Sequence, residues 1–97
     1  MMNMFTFIRF HAKSGEQEDV AAALSAVVSL TRDEPGCLRI NFFQSTRDTQ
    51  LFYIHAHWED NAAFSNHCRL AHTVEFISRV SPLIDHPIEV HRTSLML

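Results

Sequence analysis

The stretch that decides the fold begins with Glu34-Pro35-Gly36-Cys37-Leu38-Arg39 and continues through Trp58-Glu59-Asp60. Proline cannot continue a helix and glycine readily supplies a chain reversal, so Pro35-Gly36 predicts the end of a helix. Upstream of this turn, apolar residues recur at helical spacing after Ser14 and Gln17, two residues that match a capping box. The pattern predicts a first helix from Gly15 to Arg32.

Downstream of the turn, the pattern changes to the period of two that is typical of strands. Apolar and polar residues alternate through Leu38, Ile40 and Phe42, and the polar residues 45–50 predict a turn before a third strand. That third strand is Leu51–Trp58. One of its faces should meet the helices, and the side chains on that face are Phe52, Ile54, Ala56 and Trp58.

The two ends of the chain complete the set of elements. Residues 4–11 form a first strand that has large apolar side chains on both faces, which indicates that the second face of the sheet is also covered, by a partner copy. A second helical region starts at Asn61 and bends near residues 70–73. A fourth strand is expected over residues 88–97. The order is βαββαβ, which predicts one α+β domain over residues 1–97, ferredoxin-like, with an antiparallel sheet and two helices on one face.

Composition excludes several classes of protein. The net charge is −3 and no basic cluster is present, so a nucleic-acid partner is not expected. The sequence has no stretch of about 18 apolar residues, so a membrane span is not expected. We expect a cytoplasmic protein, because the N-terminus does not match a signal peptide and the two cysteines, Cys37 and Cys68, lack a CxxC spacing.

Several stretches of the chain share their order and spacing with one known family. They are the Glu34–Arg39 turn, Phe43-Gln44, Trp58-Glu59-Asp60, and Ala63-Phe64 leading to two histidines. In these stretches the chain resembles the antibiotic biosynthesis monooxygenase (ABM) family of dimeric α+β barrels. The resemblance implies a homodimer whose two sheets pack into a central barrel. It also implies a ligand pocket in each subunit, between the sheet and its helices.

The family includes monooxygenases that oxidise small aromatic quinols or phenols with dioxygen and no cofactor, so the resemblance implies this reaction and no bound cofactor or metal. A base near neutral pKa and a dry apolar pocket suffice for it. The expected catalytic residues are His67 and His72. The expected substrate pocket is formed by Phe42, Trp58, Phe64 and Ile77.

Other functions remain open. Many family members have a glutamate where this chain has Ala56, which favours a non-catalytic small-ligand-binding dimer. Relatives that isomerise phosphorylated sugars suggest a cationic pocket, for which the candidates are Arg39, Arg69, Arg79 and Arg92. Haem degradation is disfavoured, because that branch has a Trp and a His where this chain has His67 and Ile77. A metal set of His11, His55, His57 and His91 is conceivable, but solvated or interface histidines are the favoured interpretation.

Overall fold

Four strands and three α-helices, described over residues 3–97 of a computed structural model, follow one another in the expected order. The strands are β1 (Met4–His11), β2 (Cys37–Gln44), β3 (Leu51–Trp58) and β4 (Glu89–Thr93). The helices are α1 (Gln17–Thr31), α2 (Asn61–His67) and α3 (Ala71–Val80), and a 3₁₀ turn (Ser81–Leu83) follows α3. The predicted ferredoxin-like α+β fold is confirmed. None of the helices described is long and apolar enough to cross a membrane.

The sheet is antiparallel with strand order β2-β3-β1-β4. The register between the two central strands places Met4 opposite Trp58 and His11 opposite Leu51. The predicted helix-facing side of β3 is confirmed, since its four side chains are at most 5% exposed and belong to the core. Burying them against the helices removes apolar surface from water, which stabilises the fold by about 25 cal/mol for each Å² buried.

The first helix begins later than predicted. It starts at Gln17 rather than Gly15, and no side chain at its N-cap accepts a hydrogen bond, so the capping box is not formed. Gly15 has a φ of +85°, a left-handed conformation that cannot belong to a right-handed helix. The sequence match was real, but the backbone turns sharply between its two residues.

The last strand is shorter than predicted. It ends at Thr93 rather than Leu97, and Thr93 pairs with Phe5, only one residue from the start of β1. Beyond that point β1 offers almost no backbone for pairing, so the residues 94–97 lie outside the sheet. Leu95, Met96 and Leu97 are consequently exposed.

The second helical region is divided in two near the predicted bend. Asp60 caps α2 by accepting a hydrogen bond from the Ala63 amide, and the extended backbone of Leu70 separates α2 from α3. As a result, His67 closes α2 and His72 lies in the first turn of α3. The break brings both histidines to the same end of the fold.

The turn after α1 approaches α2 closely. Gly36 has a φ of +85°, and a Cβ atom added there would lie 2.6 Å from the Cβ of Ala63. Only glycine therefore fits between the turn and α2. This contact places Glu34, two residues upstream, beside the two histidines.

Candidate functional site

A small apolar cavity of about 90 Å³ lies between the sheet and the helices. Its wall includes Thr6, Ile40, Trp58, Phe64, His67 and Phe76. Ile77 and Val90 also line it and are 42% and 48% exposed, so they form its rim toward solvent. The cavity is therefore an apolar space between sheet and helices whose rim reaches the surface.

Three of the four residues predicted to form the pocket line this cavity. They are Trp58, Phe64 and Ile77. Phe42 does not line it and instead packs against the core. Phe42 pairs with Ile54, whereas Ile40 pairs with Ala56 and so lies closer to the Trp58 end of the sheet, where the histidines gather. Ile40 thus takes the place on β2 that the sequence pattern suggested for Phe42.

Trp58 forms an aromatic corner of the cavity. Its ring lies 5.5 Å from the Phe64 ring and 5.0 Å from the His67 ring, measured between centroids. Its indole Nε1 donates a hydrogen bond to the hydroxyl of Thr6 at 3.3 Å, which satisfies the buried polar atom. These aromatic rings offer flat faces to a planar ligand.

His67 combines contact with the cavity and a fixed orientation. The residue is only 9% exposed, and its Nδ1 lies 2.9 Å from the carboxylate of Glu34. The Thr73 hydroxyl lies 3.3 Å from the same nitrogen. Within residues 3–97 the hydrogen bonds of the ring all go through Nδ1. Nε2 therefore remains available to exchange a proton with a molecule in the cavity.

His72, the second predicted catalytic residue, occupies a different position. Its Nε2 lies 2.6 Å from Glu34 Oε2, but its side chain borders a groove between α1 and α3 and does not line the cavity. The structure thus joins the two histidines through one carboxylate. Only His67 is placed to touch a ligand in the cavity.

Glu34 is the site residue that the sequence reasoning missed. Its side chain is 7% exposed, although it comes directly before the turn that ends the first helical segment. A carboxylate buried to this degree requires hydrogen-bond donors, and the two imidazoles supply them. As a sequence motif, Glu-Pro-Gly indicates a turn and contributes to the family resemblance, but nothing local to it indicates that its carboxylate points inward.

The ligand atoms of Glu34, His67 and His72 lie within 4.8 Å of one another, so this cluster has the composition of a metal site. The four histidines considered from the sequence are not brought together. His55 and His57 stack on Phe5, on the other face of the sheet, and His11 contacts two aspartates.

Positive charge is scarce around the cavity. The cavity wall contains none of the four candidate arginines, Arg39, Arg69, Arg79 and Arg92. The Arg92 guanidinium instead lies over the Phe64 ring, 4.8 Å from its centroid. It donates hydrogen bonds to Asn61 and Ser65. Ala56 is 1% exposed and lines the cavity. Among residues 3–97, the wall therefore offers no arginine or lysine to a phosphate and no carboxylate at the position where many family members have one.

Comparison with known proteins identifies relatives across most of the chain. The family model described as antibiotic biosynthesis monooxygenase matches residues 4–79. YcnE of Bacillus subtilis (strain 168) is 26% identical over 83 residues, which cover 86% of this chain and 87% of YcnE. The uncharacterized protein sll1783 of Synechocystis is 24% identical over 80% of this chain, and the match spans about half of that protein, 53%.

The fold has close counterparts among solved structures. The crystal structure of PA3566 from Pseudomonas aeruginosa superposes with a TM-score of 0.92 and 25% sequence identity, covering 100% of this chain and 97% of that one. The order of strands and helices around the cavity is thus shared by a protein of nearly the same length.

Proposed function

This chain belongs to the antibiotic biosynthesis monooxygenase family, and from that premise we propose that it is a monooxygenase that oxidises a small aromatic quinol or phenol with dioxygen and without a cofactor. The relative YcnE is named for a proposed monooxygenase activity, which agrees with this reaction class. The orientation of His67 carries the proposal. Its Nδ1 is held by buried Glu34, and its other nitrogen is left for substrate.

The first step of the reaction is removal of the phenolic proton. A hydroxyl that enters the cavity meets an imidazole whose orientation is set by a carboxylate, an arrangement that enzymes use for general bases. Nε2 of His67 accepts the proton, and the imidazolium that forms donates from Nδ1 to Glu34. The buried carboxylate then stabilises the positive charge where it develops.

The second step is transfer of electrons from the substrate anion to dioxygen. The anion is electron-rich, and an apolar wall keeps water from solvating it and from competing for the oxygen intermediate. For a quinol, one oxygen atom of O₂ bonds to a ring carbon and the other leaves as water, so one quinol and one O₂ become one hydroxyquinone and one water. The substrate supplies all four electrons, so the balance needs no other reductant.

The cavity limits the size of what it can enclose. An engineered cavity of about 150 Å³ accepts benzene, and this one measures about 90 Å³. An aromatic ring therefore enters only if the rim residues Ile77 and Val90 move outward, with the rest of the molecule projecting past them. This favours a flat ligand that places its hydroxyl near His67 and extends the rest of its ring system past the rim.

A homodimer through the outer face of the sheet is the second part of the proposal. Phe7, Phe43 and Tyr53 lie on three adjacent strands of that face and are 48%, 52% and 40% exposed. Exposed aromatic side chains clustered in this way mark interaction surfaces. A second copy of the sheet would cover them with an identical set.

The test is oxygen uptake by the purified protein, stripped of metal and flavin, against a panel of quinols and anthrone-like phenols, corrected for autoxidation. Uptake that saturates with substrate and yields the oxygenated product supports the proposal. No uptake across the panel would overturn it and favour a non-catalytic binding dimer. Tight binding of a phosphorylated sugar would favour the isomerase instead.

A further inference from the structure

A second cluster of ionisable side chains surrounds His11. This residue ends β1, at the end of the sheet far from Trp58 and His67. His11 Nε2 lies 3.0 Å from Asp48 Oδ2, in the turn between β2 and β3. His11 Nδ1 lies 2.7 Å from Asp85 Oδ1, in the loop before β4. The same Asp85 oxygen lies 2.6 Å from His86 Nδ1. Two separate segments, the turn between β2 and β3 and the loop before β4, therefore converge on the His11 imidazole.

The hydrogen-bond chemistry of His11 calls for a cation. A neutral imidazole has one N–H and one lone pair, yet both ring nitrogens of His11 face a carboxylate. If Nε2–H donates to Asp48, the lone pair of Nδ1 faces the Asp85 oxygen, and two acceptors at that distance repel. Either a proton or a metal ion between them removes the repulsion.

We propose that His11, Asp85 and His86 form a binding site for a divalent transition metal ion such as Zn²⁺, with Asp48 orienting His11. Two imidazoles and one carboxylate are a ligand set that such ions prefer. The ligand atoms of the three residues lie within 4.8 Å of one another. The Asp48 contact matches the usual outer partner of a metal-bound histidine, a carboxylate that accepts the N–H of the other ring nitrogen.

The backbone holds these ligands in place. The Asp85 amide donates to the His11 carbonyl at 3.0 Å, the Lys13 amide donates to the Leu83 carbonyl at 2.8 Å, and Ala12 forms a bridge with Ile84. The loop that carries Asp85 and His86 is thus fixed to the end of β1. A site organised before the ion arrives loses less conformational entropy when it binds.

The side chains leave room for the ion and for water. The side chains of Asp85 and His86 are 37% and 56% exposed, so an ion can enter from solvent. Tetrahedral bonds of about 2.1 Å place ligand atoms about 3.4 Å apart, so these side chains must separate by about 0.7 Å. Exposed side chains can make that shift by small rotations, and water can occupy the fourth position.

The cluster at Glu34 has the same ligand composition but a different balance of donors and acceptors. There, one carboxylate receives one N–H from each of two imidazoles, so no cation is needed to satisfy it. At His11, one imidazole lies between two carboxylates. This difference assigns the metal to the His11 cluster.

The test is titration of the metal-free chain with Zn²⁺ by calorimetry, repeated with Co²⁺ while its visible absorption is recorded. We expect one ion per chain. His86→Ala removes a ligand from an exposed loop and should weaken binding more than tenfold, while Asp48→Asn should weaken it by about tenfold. His91→Ala, an exposed histidine near Glu89, and Glu34→Gln are the controls and should leave the affinity unchanged.

Two results would overturn the proposal. One is the absence of Zn²⁺ binding at millimolar concentration. The other is binding that survives His86→Ala unchanged, above all if Glu34→Gln abolishes it, because the ion would then lie at the other cluster. Circular dichroism of each variant verifies that a loss of binding is not a loss of fold.

Discussion

The carboxylate of Glu34 lies 2.9 Å from Nδ1 of His67 and fixes the imidazole at the wall of the apolar cavity. The two residues are 33 positions apart, and the Gly36 turn and the break between α2 and α3 bring them together. Glu34 does not line the cavity, so it acts on a ligand only through His67 and is a positioning residue.

Replacing Glu34 with glutamine should weaken this positioning. The amide keeps one acceptor oxygen but loses the charge that stabilises an imidazolium, so we expect kcat to fall about tenfold while KM stays unchanged. The free energy of unfolding should fall by about 1–3 kcal/mol, because a buried donor loses its partner. Steady-state kinetics and urea unfolding measure the two effects. Glu18→Gln, on the exposed side of α1, is the control and should change neither; equal effects in both variants would contradict the assigned role.

The two glycines with positive φ allow the close contact between the Gly36 turn and α2 to be tested, because Gly15 has the same backbone conformation without that contact. Gly15 and Gly36 both have a φ of +85°, but a Cβ at Gly15 meets no atom of residues 3–97 within 4 Å, whereas one at Gly36 meets Ala63 at 2.6 Å. Gly15→Ala should cost about 1–2 kcal/mol from backbone strain alone. Gly36→Ala should cost about 1–3 kcal/mol more, from the added clash. Chemical unfolding of both variants measures the difference, and equal losses would show that the turn does not press against α2.

Most of the fold could be predicted from the sequence, because the spacing of apolar residues within a segment shows directly which of its faces is buried. The alternation in β3 identified Phe52 and Trp58 as core residues, and both are 1% exposed. The start of α1 was predicted wrongly, because a capping motif does not reveal that Gly15 turns the chain. Glu34 was missed for a different reason. Its partners come from α2 and α3, and only tertiary structure shows that they meet.

The outer face of the sheet provides a test of the proposed homodimer. Phe7→Lys places a charge within the exposed aromatic cluster, and burying that charge against a second sheet would be costly. We expect a monomer, or a dimer at least tenfold weaker, by sedimentation velocity. Val74→Lys on α3 is the matched control, since Val74 is 53% exposed and Phe7 is 48% exposed. If both variants dimerise like the original chain, the sheet face is not the interface.

Cys68 reports on occupancy of the cavity. Partial burial against the cavity wall raises the pKa of its thiol, even though the residue as a whole is exposed. Because the thiolate is the reactive form, alkylation by iodoacetamide at pH 7.5 should be slower than for free cysteine and should accelerate as the pH rises. A bound quinol, under anaerobic conditions, should slow it further. Mass spectrometry follows Cys68 against Cys37, which does not line the cavity; equal protection of both thiols would argue against binding there.

The most direct test compares His67→Ala with His72→Ala for oxygen-dependent turnover of a quinol that the original chain oxidises. His67 lines the cavity, whereas His72 does not line it and hydrogen-bonds Glu34. We therefore expect at least a tenfold loss of kcat for His67→Ala and a clearly smaller loss for His72→Ala. Unchanged turnover in His67→Ala, with a folded protein by circular dichroism, would contradict the assignment of His67 as the base.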